Sequence, residues 1–100
     1  MSLKQLFDLS GRVALVTGGS RGLGLQMAEA LAEMGARLAL VARKPDELEE
    51  AQAHLKSTLG VDPVELPCDL SDAKAIAPMV GHAVAALGPI DILINNAGTT

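Results

Sequence analysis

Eight consecutive residues, Thr17-Gly18-Gly19-Ser20-Arg21-Gly22-Leu23-Gly24, hold the most chemistry that can be read from this chain. They follow a short apolar run and open a segment with helical spacing, which is the setting a phosphate-binding turn needs. Glycines let the backbone turn sharply and let a pyrophosphate come close. The free N–H groups at the helix start then face the anion. Three glycine patterns compete for this segment. A triphosphate loop ends in Gly-Lys-Ser/Thr. Gly19 and Gly24 have its outer spacing, but Leu25 and Gln26 follow and supply no lysine. The G-x-G-x-x-G pattern fails because Gly22-x-Gly24 needs glycine at 27, where Met27 stands. Thr-Gly-x-x-x-Gly-x-Gly fits.

Such a turn must sit at a strand's carboxyl end. Val13 to Val16, Leu38 to Val41 and Ile90 to Ile94 are continuous apolar runs broken only by Asp91. Unbroken runs fit strands covered on both faces, as in a parallel sheet. Val61 to Leu66 is a weaker strand, and Pro63 and Pro67 point to an edge position. Helices are expected over about Gly22 to Met34, Pro45 to Leu59 and Ser71 to Leu87, with Gly35 and Gly60 as stops. Ser71 suits the N-cap of the third, and Pro78 predicts a kink or break within it. The order β-α-β-α-β-α-β predicts an α/β, doubly wound parallel sheet with strand order 3-2-1-4. Ligands bind such sheets at the switch point between strands 1 and 4. The first ten residues are expected to be loosely ordered.

Two further segments stand at strand ends: Asp69-Leu70 after the third strand, and Asn95-Asn96-Ala97-Gly98 after the fourth. With the turn, they make the chain resemble the short-chain dehydrogenase/reductase family from about Leu9 to Gly98. The stretch from Gly11 to Gly24 is similar to gluconate 5-dehydrogenases and 3-oxoacyl-(acyl carrier protein) reductases, two subgroups that share this half. The resemblance implies a Rossmann-type sheet and hydride transfer between a nicotinamide cofactor and a small carbonyl or alcohol. It implies cofactor contacts from Thr17, Gly18, Gly19, Ser20, Arg21, Gly22, Leu23 and Gly24. It also implies that Asp69, beside Leu70, bonds the adenine, and that Asn96, Ala97 and Gly98 line the cleft and brace the sheet. The family's catalytic Ser, Tyr and Lys have no counterpart here, and the chain has no tyrosine. They are expected beyond Thr100, with Tyr-x-x-x-Lys about 55–60 residues on and the Ser about 13 before the Tyr. Residues 1–100 therefore read as the N-terminal NADP-binding part of a single Rossmann-fold domain, either shortened or a portion of a longer protein. By itself this part is expected to be inactive and poorly soluble, with an exposed edge at the fourth strand. The full-length protein is expected to be a homodimer or homotetramer.

The second strand ends Leu40-Val41-Ala42-Arg43-Lys44. NAD sites place an acid about 20 residues after the turn to hold the ribose 2′-hydroxyl. The position where such family members carry Asp matches Ala42, and Arg43 follows. Arg43 and Arg21 can pair with a phosphate through planar guanidinium groups. NADP (NADPH) is the expected cofactor, with no carboxylate set against its 2′-phosphate.

Composition removes other classes. Eight basic against 12 acidic residues give a net charge of −4, which argues against nucleic acid. One Phe and no Trp or Tyr cannot stack a run of bases. No apolar stretch approaches the roughly 18 residues of a membrane span. A single cysteine, with no secretory leader, favours the cytoplasm. No metal site is expected. His54 reads as a surface residue, His82 in the third helix has no Cys, Asp or Glu at ligand spacing, Cys68 reads as a small packed side chain, and Met27, Met34 and Met79 as core. Glu47, Glu49 and Glu50 read as a solvated helix face. Two alternatives differ in class. A non-catalytic dinucleotide sensor would keep the turn and lack the Tyr-Lys pair. A nucleotide-sugar epimerase needs Thr-Gly-x-x-Gly-x-x-Gly, which Gly18, Gly22 and Gly24 do not match.

Overall fold

The computed structural model describes residues 8–96. Strands β1 (Val13–Thr17), β2 (Arg37–Ala42), β3 (Val64–Pro67) and β4 (Ile92–Asn95) alternate with helices α1 (Gly22–Glu33), α2 (Pro45–Leu59) and α3 (Ala73–Leu87). The strands form one parallel sheet in the order β3-β2-β1-β4, as the sequence predicts.

Two-sided burial explains the unbroken apolar runs. Successive strand residues point to opposite faces. Ala14, Val16, Leu38 and Leu40 pack with Ala28 and Ala32 of α1 and with Leu48, Ala51 and Leu55 of α2. Leu15, Ala39, Val41 and Leu66 pack on the other face with Met79 and Ala83 of α3. Every position of β1 is buried, so each must be apolar or have its polar atoms paired. Leu40, Leu48 and Leu55 are fully buried, and each contributes about 2 kcal/mol relative to exposure.

Helix ends follow local chemistry. After α1 the Gly35 N–H donates to Ala32 O and the Ala36 N–H to Leu31 O. These two bonds, with Gly35 at φ +101°, close the helix in a Schellman motif. Pro45 opens α2 and Asp46 and Glu47 occupy its first turn, where the helix dipole favours acids.

Several details depart from expectation. The cap of α3 is Asp72, whose side chain accepts from Lys74 N–H at 3.1 Å. Ser71 is engaged elsewhere, since its N–H and Oγ both donate to Asp69 Oδ1. Pro78 does not break α3. It sits on the exposed side, where water can serve the Lys74 carbonyl that loses its helical donor. β3 begins at Val64, after Asp62 accepts from Gln52 Nε2 at 2.6 Å, and it is an edge strand as the prolines suggest. Residues 8–10 are held, with Leu9 N–H donating to Met34 O at 2.7 Å. Residues 1–7 lie outside the described segment. Met79 is core, whereas Met27 and Met34 are half-buried.

Candidate cofactor site

The carboxyl ends of all four strands open on one cleft of about 960 Å³. That volume is within the usual range for small-molecule sites. Thr17, Gly18, Ser20 and Arg21 of the glycine turn line it, with Ala42 and Arg43 after β2, Asp69 and Leu70 after β3, and Asn95 and Asn96 at β4. Gly19 and Gly24 are buried behind this wall, and Leu23 is exposed on α1 away from it. Ala97 and Gly98 lie outside the described residues.

The turn is shaped by close approach. A Cβ on Gly24 would lie 1.9 Å from Gly18 O and 2.9 Å from Asn96 Nδ2. Only glycine lets α1 press against the turn and lets the Asn96 amide lie over both. Gly22 has φ +58° with open space around it, so its requirement is conformational. Arg21, at the N-cap, is extended and makes no side-chain cap bond, and the first turn of α1 holds no acid. The N–H groups at this helix start are therefore available to an anion.

Polar groups brace the base of the cleft. Thr17 is buried, and its Oγ1 lies 3.0 Å from Asn95 Oδ1 and accepts from Asn96 N–H at 3.0 Å. The Gly18 N–H donates to Val41 O, carrying the β1–β2 ladder into the turn. On the β3 side, hydrogen bonds from the Ser71 side chain and backbone hold the Asp69 carboxyl below its ordinary pKa, and the Arg43 charge adds to this. Asp69 is thus an ionised acceptor at the rim.

One residue of the site was not expected. Glu47 lies half-buried in the cleft wall instead of on a solvated face. Its Oε1 is 3.5 Å from Arg21 Nη1, and its Oε2 accepts from Ser20 Oγ at 3.5 Å. A carboxylate therefore stands beside the arginine assigned to the 2′-phosphate, contrary to the sequence reading. The sequence signal was its place in the first turn of a helix that starts at the sheet's carboxyl edge.

The residues set aside behave more simply. Cys68 is buried and free, its thiol directed at Ala75 O. His82 is exposed, and His54 pairs with Glu29 between α2 and α1. Among the described residues there is no group of three or more His, Cys, Asp or Glu able to hold a metal ion. No helix there is long and apolar enough to cross a membrane.

The arrangement matches known proteins. Gluconate 5-dehydrogenase of Gluconobacter oxydans is 44% identical over 98 residues, covering 98% of this chain and 38% of that protein. The rhamnolipids biosynthesis 3-oxoacyl-(acyl-carrier-protein) reductase of Pseudomonas aeruginosa is 44% identical over 97 residues, covering 94% of this chain and 36% of that protein. The structure of L-sorbose reductase from Gluconobacter frateurii, complexed with NADPH and L-sorbose, superposes with a TM-score of 0.87 at 42% identity. That match covers 93% of this chain and 35% of the reductase. The chain thus spans little more than a third of each relative's length. The sequence model of the short chain dehydrogenase family matches residues 12–100, and this chain belongs to that family.

Proposed function

We propose that the whole protein is an NADP(H)-dependent oxidoreductase that interconverts a small carbonyl and an alcohol by hydride transfer. Residues 1–100 supply its cofactor-binding part. One observation carries the proposal. Arg21, at the uncapped start of α1, and Arg43, after β2, both border the cleft, and Ala42 puts no acid at the end of β2. A relative 42% identical to this chain is a reductase complexed with NADPH.

The cofactor supplies the hydride when bound, and this chain's residues place it. The N–H groups opening α1 take the pyrophosphate. Arg21 and Arg43 take the 2′-phosphate through charge-assisted hydrogen bonds. Asp69, ionised and beside Leu70, accepts from the adenine amino group. Thr17, Gly18, Gly19, Ser20, Gly22, Leu23 and Gly24 shape the turn. Asn96, just past β4, lines the cleft on that side. The Ser, Tyr and Lys that handle the proton follow Thr100, and the protein works in the cytoplasm as a homodimer or homotetramer.

Fluorescence titration of the full-length protein tests this reading. NADPH should bind much more tightly than NADH, and equal affinities would refute the cofactor assignment. A panel of ketones and sugar acids assayed with NADPH then tests the activity. Tight binding with no turnover on any of them would favour a dinucleotide sensor.

A further inference from the structure

Four charged side chains line the cleft among the described residues: Arg21, Arg43, Glu47 and Asp69. Asp69 is held by Ser71 and faces the Arg43 charge. Glu47 stands apart from that group. It leaves the first turn of α2 and reaches back across the cleft wall to the glycine turn, where it meets Ser20 and Arg21. Its side chain is only 21% exposed, while that of Arg21 is 78% exposed.

These numbers describe a contact that is easily exchanged. The Arg21–Glu47 separation of 3.5 Å is at the long end for an ion pair, and the Ser20–Glu47 bond is equally long. An ion pair with one partner in solvent contributes little net free energy. A phosphate offers a guanidinium more charge and more acceptor oxygens than a carboxylate does. Arg21 can therefore change partners, while Glu47, anchored on α2, stays where it is.

We infer that Glu47 is a specificity-determining residue that weakens this cleft's grip on a 2′-phosphate and narrows the preference for NADP(H) over NAD(H). The inference rests on the assignment of the cleft to NADP(H). Glu47 acts in two ways. It competes with the phosphate for Arg21, and its charge remains close to the phosphate once Arg21 has moved. A cofactor with a plain 2′-hydroxyl meets neither penalty, because a hydroxyl can donate to the carboxylate. The acid suits its position for a separate reason, since a negative charge in a helix's first turn is favourable. The site thus sets Glu47 directly against Arg21, one of its two attracting cations.

The test is a binding cycle in the full-length protein. NADPH and NADH are titrated against wild type, Glu47→Gln, Arg21→Ala and the double variant. Glu47→Gln should bind NADPH about fivefold more tightly, the scale expected from one partly screened ion pair. NADH affinity should stay within about twofold. In the Arg21→Ala background the gain for NADPH should fall to less than half. Glu47→Asp keeps the helix-start charge but shortens the reach to Arg21, so it should give a smaller gain in NADPH affinity. It serves as the second reading if the glutamine variant folds poorly. Unchanged or weaker NADPH binding in Glu47→Gln would overturn the inference, as would an equal gain for NADH. A wild type with equal affinities for both cofactors would instead refute the NADP assignment. The inference is decided separately, by the change in the NADPH-to-NADH ratio that Glu47→Gln produces.

Discussion

The Thr17 hydroxyl joins the ends of β1 and β4, because Oγ1 accepts from the Asn96 N–H at 3.0 Å and lies 3.0 Å from Asn95 Oδ1. Residues nearly 80 positions apart are thereby fixed at the point where the sheet's connections reverse. Thr17→Val keeps the side chain's shape and removes the acceptor. Removing one partner of a buried hydrogen bond costs about 1–3 kcal/mol. The variant should show a lower urea midpoint in the full-length protein, and Thr17→Ser should recover much of the loss. Equal midpoints for Thr17→Val and wild type would show that the hydroxyl does not brace the strands.

Gly24 and Gly81 should respond to alanine in opposite directions. A Cβ at Gly24 would overlap the Gly18 carbonyl, and backbone on both sides leaves little room to yield. Gly24→Ala should cost more than about 2 kcal/mol and sharply weaken cofactor binding. Gly81 lies inside α3, where a Cβ would meet nothing within 4 Å, and its φ is not positive. Gly81→Ala should stabilise the protein by about 0.5–1 kcal/mol, because alanine loses less backbone entropy in a helix. Thermal melts of the two variants would check the signs.

The same contrast shows what the sequence could and could not reveal. Gly24 was legible because the glycine turn is a local pattern, and local spacing fixes a βα junction. The strand order was legible because apolar runs at every position require cover on both faces. Glu47 was not legible. Periodicity identifies Leu48, Ala51 and Leu55 as the buried face of α2, but it does not say that the helix's first turn meets Ser20, 27 residues earlier. The cap of α3 was misread because Ser71 and Asp72 are both competent caps. The choice depends on Asp69 capturing Ser71, a competition that propensity does not rank.

Arg43 carries the cofactor preference under the proposed assignment. It is exposed at the rim, its charge acts on Asp69, and none of its polar atoms is needed inside the core. Arg43→Ala should therefore leave the melting temperature nearly unchanged while it weakens NADPH binding about tenfold or more, the scale of a charge-assisted hydrogen bond. NADH binding should change little. The NADPH affinity of wild type should also fall as salt rises, and Arg43→Ala should flatten that dependence. Loss of both cofactors in parallel would place Arg43 in the fold and not in recognition of the phosphate.

Glu65 provides a pH test that does not involve the cleft. It pairs in register with Leu40, so it faces the α2 side of the sheet. Partial burial raises its pKa, and the charges of Glu49 and Asp62 raise it further. A carboxyl whose folded pKa lies above its unfolded value binds its proton more tightly in the folded state. Ionisation therefore destabilises the fold, and the loss grows as pH rises from the ordinary glutamate value through the raised one. Glu65→Gln removes that charge. It should stabilise the protein at neutral pH, and the gain should fade as pH falls through the raised pKa and be gone below the ordinary glutamate value. Urea midpoints of both proteins, compared from neutral pH down to the acid limit, would show the two curves converging at low pH. Curves that stay parallel would mean that the gain comes from packing or helix contacts and not from the Glu65 charge.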